Sequence, residues 1–306
     1  MEVSFIVPCY NESKNIKLFY DDVVESFKGK YKVELIFIND GSKDNTLEEL
    51  KSLLKEKTFE IKIINFSRNF GKEAGIYAGL KECNGDVCVI IDADMQQPPH
   101  LVLDMIKVME NDSNIDIVTY YQEKRIENKI ISFFKSQFYK IMSNSTGMKL
   151  KNGASDFRLL NKKVIDTVLT LSEHDRFSKG IFSWIGFNTY YLPYIPEKRI
   201  NGKTSWSTKE LFKYAVSGIL SFSKKPLNIT FKLGIFNILV SLMLLLLGFI
   251  ISANQFYFLM ILIIFLFGIN YIVLGILGEY IYRNYTESRN RPIYIVKEVM
   301  SNEKNN

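Results

Sequence analysis

Two aspartates stand at the end of an apolar run in residues 89–100, which read VIIDADMQQPPH. Asp92 and Asp94 are separated by one residue, and Gln96 follows two residues later. Two carboxylates so close together repel each other unless a cation lies between them. Carboxylate and amide oxygens are the ligands that Mg²⁺ or Mn²⁺ takes, with water and substrate phosphates completing the shell. The segment therefore predicts a metal site at these three residues, with an acidic turn or helix cap as the alternative.

The apolar run before these aspartates belongs to a repeating pattern of strands and helices. Five runs have strand character, at residues 3–7, 33–38, 61–66, 87–91 and 115–120. The segments between them have helical periodicity, at residues 13–27, 45–56, 72–83 and 99–110. Some of these segments begin with a capping residue such as Ser13 or Asn45. The alternation predicts an α/β fold with an open, mainly parallel sheet and helices on both faces.

Polar loops follow the first four predicted strands, and ligands bind such sheets beyond the carboxyl ends of the strands. The loops read PCYNES, NDGSKDNT, SRNFGKEAG and DADMQQPP. Asp40 could accept hydrogen bonds from a base or a ribose, with Glu12 as a second candidate, and Gly41 would allow a close backbone approach. Arg68 and Lys72 stand where positive charge could meet a phosphate. Each loop alone is equally typical of an ordinary turn or a solvated helix start.

Composition and motifs exclude several other classes of protein. The net charge of +6 is modest, and no nucleic-acid-binding motif is present. No dinucleotide fingerprint follows the first strand, and no Walker pattern occurs. Cys9, Cys83 and Cys88 form no CxxC pair and are expected to be buried thiols. Two histidines are too few for a histidine-rich zinc site.

Two apolar runs near the C-terminus, residues 233–251 and 256–277, contain no charged residue. They are about 19 and 22 residues long, or roughly 28 and 33 Å as helices, which is enough to cross a bilayer. Lysines precede the first run and arginines follow the second, whereas the link between them has neither. The positive-inside rule therefore predicts a two-helix transmembrane hairpin with both termini in the cytoplasm. A pair of buried core helices is the alternative.

These patterns divide the chain into four parts. The predicted parts are a cytoplasmic catalytic domain (1–206), an interfacial amphipathic helix (207–228), two transmembrane helices (229–282) and a cytoplasmic tail (283–306). A second amphipathic segment, residues 128–142, either packs on the sheet or adds to the interfacial part. Basic residues near the spans suit an anionic leaflet, so the chain is expected in the cell membrane. The strand-like N-terminus predicts no signal peptide.

Seven segments of the chain resemble family 2 glycosyltransferases. They read IVPCYNES, FINDGSKDNT, SRNFGKEAGIYAGL, IIDADMQQPP, ASDFRLLNKKV, RFSKGIFSWIGF and GILGEYIYRNYTESRNRPIYIVKE. More narrowly, they resemble the polyprenyl-phosphate glycosyltransferases of the bactoprenol glucosyltransferase and dolichol-phosphate mannose synthase group, from about residue 3 to residue 298. The resemblance implies a GT-A type fold, a nucleotide-diphospho-sugar donor, a divalent metal and a lipid-phosphate acceptor.

The resemblance also implies roles for residues at matching positions. The nucleotide-sugar pocket would be lined by Pro8, Tyr10, Glu12, Asp40, Arg68, Lys72 and Asp92. The metal and the diphosphate would be surrounded by Asp92, Asp94 and Gln96. The predicted catalytic residues are Asp156, at the position of a proposed base, with Asp94 and Arg125. The acceptor phosphate would be met by Lys124, Arg125, Arg158, Arg176 and Lys203. Residues 201–207 (NGKTSWS) would form a loop that closes over the site.

Acid–base chemistry leaves the role of Asp156 open. A sugar hydroxyl needs a base to remove its proton. A lipid phosphate is already largely ionised near neutral pH, because its second pKa is about 6. Asp156 could therefore act as a base, or it could orient Arg158 or the donor.

The sequence departs from the family pattern in three places. Asn39 replaces the first aspartate of the usual DDGS motif, so only Asp40 can supply that carboxylate. Gln97 stands where many relatives have Asp or His, which lowers the negative charge near the metal site. Lys179 and Trp206 occupy positions expected as Arg and Tyr, which affects the details of acceptor contact.

These features together predict a metal-dependent, inverting transferase. It would move one sugar, glucose or N-acetylglucosamine, from a UDP-sugar to undecaprenyl phosphate. The lipid-linked sugar would pass to a flippase and to a second transferase that uses it on a cell-wall or surface polymer. A processive polysaccharide synthase is disfavoured by the absence of a Q-x-x-R-W motif and by the two spans. An inactive membrane-bound scaffold is disfavoured by intact Asp92, Asp94 and Asp156, and a homo-oligomer is left open.

Overall fold

The computed structural model describes most of the predicted cytoplasmic domain and the C-terminal helix and strand. The described residues are 1–122, 153–174, 176–194, 230, 232–237, 239–240, 243–244 and 255–302. Lys124, Arg125 and the amphipathic segment 128–142 lie outside this part of the chain. The same holds for Lys203, Trp206, the predicted closing loop and the predicted interfacial helix.

The described residues form one mixed sheet of eight strands. The strands are β1 (Glu2–Cys9), β2 (Lys32–Asn39), β3 (Glu60–Phe66), β4 (Val87–Ile90), β5 (Ile117–Gln122), β6 (Ala154–Asn161), β7 (Thr189–Tyr194) and β8 (Val296–Ser301). Their spatial order is β7-β5-β6-β4-β1-β2-β3-β8. Only β6 and β8 run antiparallel to their neighbours within this sheet. The prediction of a mainly parallel α/β sheet is therefore confirmed.

Helices cover both faces of the sheet, as predicted. The helices that do so are α1 (Ile16–Phe27), α2 (Thr46–Leu53), α3 (Lys72–Glu82), α4 (Val102–Asn111), α5 (Lys162–Thr170) and α6 (Ser178–Trp184). A 3₁₀ turn, Pro99–Leu101, precedes α4. One buried cluster joins the sheet to α1, α2 and α4, and a second joins it to α3, α5 and α6. A further long helix, α7 (Gln255–Ser288), contributes none of its described residues to either buried cluster. Along β1, Phe5 and Val7 belong to the first cluster and Ile6 to the second, which is the period of two that a strand imposes.

The helix starts differ in detail from the sequence predictions. The cap of α1 is Asn15 and not Ser13, and its side chain makes no capping hydrogen bond. Asn45 is the cap of α2, but its side chain makes none either. Asp44 provides the acceptor in its place, because its Oδ1 receives the Thr46 N–H at 3.1 Å. Asp44, one residue before Asn45, therefore accepts a backbone hydrogen bond of the kind expected for Asn45.

Two of the three cysteines lie next to each other. The side chains of Cys83 and Cys88 are in contact, whereas Cys9 is a buried free thiol. Cys83 follows the end of α3 and Cys88 lies in β4, so the short helix–strand turn brings their Cα atoms to 6.7 Å. All three cysteines are buried, as predicted.

Helix α3 lies unusually close to the sheet. A Cβ atom at Gly79 would stand 2.2 Å from Cγ2 of Ile6 on β1, so only glycine permits this approach. The first residue of α3 is Lys72, which follows the end of β3 at the carboxyl edge of the sheet. The close packing of α3 therefore places a lysine beside the loops that follow β1 and β4.

The long C-terminal helix α7 contains the second predicted membrane span. Its residues Phe265–Ser288 form a candidate span of 24 residues with mean hydropathy 1.5, and none of it is buried. It is the one such helix among the described residues. About half of the first predicted span, 233–251, lies outside them, so the two-helix hairpin stays a prediction.

The chain returns from α7 to the sheet, which the sequence analysis does not anticipate. Strand β8 pairs antiparallel with β3, so part of the predicted tail is the edge strand of the sheet. Tyr294 stacks on Phe66 of β3 with ring centroids 4.9 Å apart. Asn302 ends the strand: its Oδ1 accepts the Ile61 N–H, and its Nδ2 donates to the carbonyls of Glu56 and Phe59.

Replacement of Asn302 by alanine should lower the stability of the full chain. Three backbone groups lose their partner, which predicts a loss of about 1–3 kcal/mol in the free energy of unfolding. A thermal-shift measurement in detergent checks this as a lower Tm. The control is Glu298→Ala on the exposed side of the same strand, which should leave Tm unchanged. Equal Tm values for wild type and Asn302→Ala would show that the end of β8 is not held by this amide.

Candidate active site

The predicted site residues of the loops after β1 and β4 lie at the point where the strand order of the sheet reverses. Strand β1 has β2 on one side and β4 on the other, so the connections from β1 and to β4 lead in opposite directions. The crevice beyond the carboxyl ends of two such strands is the usual ligand site of an open α/β sheet. Ile91 extends β4 by donating its N–H to the Ile6 carbonyl at 3.1 Å. Asp92 is the next residue and stands at the edge of that crevice.

Four charged side chains alternate in sign across this edge, and we call them the charged row: Asp92, Lys72, Asp156 and Lys179. Lys72 Nζ lies 2.6 Å from Asp92 Oδ1 and 2.8 Å from Asp92 Oδ2. The same nitrogen lies 3.5 Å from Asp156 Oδ2. On the far side of Asp156, Lys179 Nζ lies 3.9 Å from Oδ1. The row therefore connects the loop after β4, the first residue of α3, strand β6 and the first turn of α6.

The charged row fixes the ionisation state of its two central members. Burial lowers the pKa of Lys72, but the Asp92 and Asp156 carboxylates outweigh burial and hold that pKa above its ordinary value. Burial raises the pKa of Asp156, but Lys179, Lys72 and Arg158 outweigh it and lower that pKa to about 2. Both groups are therefore charged throughout the neutral range.

Strand β6 carries Asp156 and Arg158 on the same face, because they are two residues apart. Arg158 is buried, and its guanidinium lies 4.8 Å from the ring centroid of Phe182 on α6. Its charge contributes to the low pKa of Asp156. The structure therefore brings Arg158 together with Asp156.

The second aspartate of the motif bonds within its own loop. Asp94 is buried, and its Oδ1 accepts the Gln96 N–H at 3.1 Å. Met95 between them has a φ of 59°, a left-handed conformation that a non-glycine residue rarely adopts. This tight turn keeps Asp94 and Gln96 together at the tip of the loop.

The donor set suits a hard divalent cation with few protein ligands. Among the described residues, no group of three or more His, Cys, Asp or Glu side chains converges on one point. Asp92, Asp94 and the amide of Gln96 offer only oxygen ligands from the protein. Mg²⁺ and Mn²⁺ accept such a partial shell when phosphates and water complete it. The residues present therefore fit a cation that arrives together with a phosphate ligand.

Gln97 fastens the aspartate loop to the far half of the sheet. Its Nε2 donates to Ser155 Oγ at 2.6 Å and to Tyr194 Oη at 2.8 Å. Ser155 immediately precedes Asp156, and its Oγ also accepts the Phe157 N–H. The neutral amide at this departure from the family pattern therefore ties the loop that carries Asp92 to the strand that carries Asp156.

Asp40 acts on the protein's own backbone. Its Oδ1 accepts the Phe70 N–H at 2.6 Å, and its Oδ2 accepts the Gly71 N–H at 2.9 Å. Burial raises the pKa of Asp40, opposed by these two backbone donors. Gly41 has a φ of 63°, and a Cβ there would stand 2.5 Å from the carbonyl carbon of Arg68. The predicted close approach at Gly41 is real, but the partner is residues 67–71 of the chain.

The other residues predicted to bind nucleotide lie near the end of β1 and in the loops that follow β1 and β3. Pro8 at the end of β1 lies against Gly75 of α3, and Tyr10 is exposed. Glu12 accepts a hydrogen bond from Asn15 Nδ2 at 2.6 Å. The guanidinium of Arg68 lies 4.0 Å from the centroid of the Phe70 ring.

Arg176 does not join this group. It is buried, its Nη1 donates to the Leu171 carbonyl at 2.8 Å, and its guanidinium lies 4.4 Å from the Tyr77 ring centroid. These contacts hold the segment before α6 against α3. They give no support to the predicted contact between Arg176 and the acceptor phosphate. Arg125, Lys124 and Lys203 lie outside the described residues.

Two arrangements in the site escape sequence reasoning. Asn39, which replaces the expected aspartate, donates from Nδ2 to Asn65 Oδ1 at 2.8 Å, and both amides are buried. Asn39 and Asn65 are directly paired across β2 and β3. The sequence feature that could have indicated this contact is an asparagine at or next to the end of each strand. Lys179 completes the charged row, although only its departure from the family pattern drew notice to it.

Comparison with known proteins bears on this geometry. The profile described as Glycosyl transferase family 2 matches residues 4–169, which include both aspartates and Asp156. The chain belongs to glycosyltransferase family 2. CsbB of Bacillus subtilis (strain 168) is 39% identical to this glycosyltransferase over 303 residues, covering 97% of this chain and 91% of CsbB. The prophage bactoprenol glucosyl transferase homolog of Escherichia coli (strain K12) is 35% identical, covering 98% and 99% of the two chains.

A solved structure has a similar fold. Glucosyl-3-phosphoglycerate synthase from Mycobacterium tuberculosis, in complex with Mn²⁺, UDP and glucosyl-3-phosphoglycerate, superposes with a TM-score of 0.51. It is 15% identical and covers 72% of this glycosyltransferase and 80% of the synthase. The likeness confirms the GT-A-like fold of the described sheet. The family and its named relatives confirm that the chain is a transferase of the polyprenyl-phosphate glycosyltransferase group.

Replacement of Gln97 by leucine should loosen the aspartate loop of this glycosyltransferase without unfolding it. The side chain keeps its size, but both donated hydrogen bonds are lost, which predicts about a tenfold weaker affinity for UDP with Mn²⁺. Tyr194→Phe removes one of the two acceptors and should give a smaller loss. Isothermal titration measures both affinities. If Gln97→Leu binds UDP as tightly as wild type, the amide does not position the loop.

Proposed function

We propose that this glycosyltransferase transfers a single sugar from a UDP-sugar to undecaprenyl phosphate at the cytoplasmic surface of the membrane. The observation that carries the proposal is the charged row, which begins at Asp92 of the aspartate loop and ends at Lys179 of α6. Such a row suits a reaction between two anionic substrates. Relatives over the full length include the bactoprenol glucosyl transferase of Shigella phage SfV, which is 34% identical.

The donor half of the proposal concerns the diphosphate. Asp92, Asp94 and Gln96 would hold Mg²⁺ or Mn²⁺, which would neutralise the charge that grows on the diphosphate as its bond to the sugar breaks. Lys72 stands beside Asp92 and supplies a second, permanent positive charge at the same place. Asp40 holds residues 67–71 in position, so that Arg68 stays at the rim of the crevice. Pro8, Tyr10 and Glu12 would line the remaining wall.

The acceptor half of the proposal needs no protein base. In the transfer, an oxygen of the lipid phosphate attacks the anomeric carbon from the side opposite the diphosphate, and UDP leaves with the electron pair of the broken C–O bond. The acceptor oxygen is already ionised, since the second pKa of a phosphate monoester is about 6. A carboxylate with a pKa of about 2 is a poor proton acceptor at neutral pH. We therefore assign Asp156 an orienting role.

Asp156 is well placed to orient a substrate. Its Oδ1 is buried and accepts no hydrogen bond from the described residues, while Lys179 Nζ stands 3.9 Å away. A sugar hydroxyl of the donor can supply the missing hydrogen bond. In this role the carboxylate bridges Lys72 and Lys179 and would hold the sugar between the two phosphates.

The membrane part of the proposal rests on α7 and the apolar runs. The apolar side chains of α7 are exposed in the described structure, among them Phe258, Phe267 and Leu274. With the run at residues 233–251, α7 would form a hairpin whose two ends lie in the cytoplasm. A polyprenyl chain stays in the bilayer, so an enzyme anchored beside it meets the phosphate at a raised effective concentration.

Membranes that contain the protein should transfer label from UDP-[¹⁴C]glucose or UDP-[¹⁴C]N-acetylglucosamine to a lipid that extracts into organic solvent. Asp94→Ala should reduce this transfer about a hundredfold or more while the variant still inserts in membranes. Label in a polymer would favour a processive synthase, and UDP binding without any transfer would favour an inactive scaffold. Full activity of Asp94→Ala would contradict the metal role of Asp94.

The pH dependence of transfer should follow the acceptor and not Asp156. Because Asp156 has a pKa of about 2, it is ionised at every pH above about 4 and contributes no acid limb there. The rate should fall below about pH 6 as the lipid phosphate becomes singly charged. A phosphonate acceptor with a higher second pKa should move this limb upward by the same difference. If the fall in rate occurs at the same pH with the phosphonate, it is caused by a group on the protein.

A further inference from the structure

One carboxylate outside the charged row joins the two helices that carry its lysines. Glu73 is the second residue of α3, next to Lys72, and its Oε2 accepts the Ser178 N–H at 3.1 Å. The Ser178 hydroxyl donates to the same oxygen. Ser178 is the first residue of α6 and immediately precedes Lys179. The first turns of α3 and α6 are therefore bonded to each other within one residue of each lysine.

Helix α6 depends on this contact because it has no cap of its own. Phe177 precedes the helix and offers no side-chain acceptor to its first N–H groups. The Glu73 carboxylate takes that place from a neighbouring helix, where negative charge is also favoured by the helix dipole. Arg176 adds a second attachment of the same segment, since its guanidinium packs on Tyr77 of α3.

The consequence concerns the position of Lys179. Lys72 is held at Asp92 by two short contacts, but Lys179 reaches Asp156 only at 3.9 Å. Its side chain is 26% exposed and stands at the end of the row farthest from Asp92. In the proposed function this end is left for the second anion. Where this ammonium lies is decided by the start of α6, and Glu73 holds that start.

We propose that Glu73 is a positioning residue for sugar transfer, which ties α6 to α3 and thereby holds Lys179 where it meets the acceptor phosphate. The proposal rests on the proposed function and names the group that places the acceptor. Glu73 itself touches neither substrate. Its effect on the reaction passes through Lys179.

A double-mutant cycle tests this with the full chain in lipid nanodiscs. UDP release is measured with the nucleotide sugar that supports wild-type transfer, at varied concentrations of undecaprenyl phosphate and of donor. Glu73→Gln and Lys179→Ala should each lower kcat/KM for the acceptor about tenfold, with the KM for the donor changed less than about twofold. The double variant should be no slower than Lys179→Ala alone, because Glu73 has no other route to the reaction.

Controls separate positioning from general damage. Glu82→Gln lies in the last turn of α3, is exposed, and should match wild type in rate and Tm. If Glu73→Gln does not fold, Ser178→Ala takes its place in the cycle. Ser178→Ala removes only the hydroxyl that donates to Glu73.

The outcomes distinguish the two proposals. Additive losses in the double variant, or a wild-type rate for Glu73→Gln, would overturn the role of Glu73 alone. A wild-type protein that releases no UDP when undecaprenyl phosphate is added would overturn the proposed function and, with it, this role.

Discussion

An ammonium group between two carboxylates organises the carboxyl edge of this sheet. Asp92 follows strand β4 and Asp156 lies on its neighbour β6, so their negative charges would repel each other across the crevice without Lys72. Lys72 can stand there because α3 packs so closely on β1 that a side chain at Gly79 would not fit. The electrostatics of the site therefore rest on a packing contact in the core. The aspartate motif therefore belongs to a larger set of opposite charges, which includes Lys72, Asp156 and Lys179.

Sequence reasoning predicts the local parts of this arrangement and misses the long-range ones. The strand before Asp92 follows from its β-branched run, and the polar ends of four strands follow from their composition. The pairing of Lys72 with Asp156 could not be read in this way, because it depends on β6 entering the sheet antiparallel between β4 and β5. Asp40 shows the opposite limit. Its motif is conspicuous, but a pattern does not show whether a carboxylate faces a ligand or the chain's own N–H groups.

The polar residues around the charged row have two kinds of role. Some fasten one segment of the site to another, as Gln97 does for the aspartate loop and Asp40 for residues 67–71. Others present charge toward the crevice, as Lys72 and Lys179 do. The fastening residues make their bonds within the protein, so the charged residues can be held in place before a substrate arrives. Preorganisation of this kind lowers the cost of bringing two anions together.

The return of the chain to β8 links the order of synthesis to the order of folding. Strand β3 receives its last neighbour, β8, from residues that follow α7 in the chain. The Ile61 N–H of β3 is accepted by Asn302, the residue directly after β8. A ribosome delivers these residues after the apolar helix. The sheet can therefore be completed only after α7 has left the ribosome and taken up its own position. A nascent chain whose α7 is misplaced would carry an open strand edge, the feature by which unfinished sheets are exposed to aggregation.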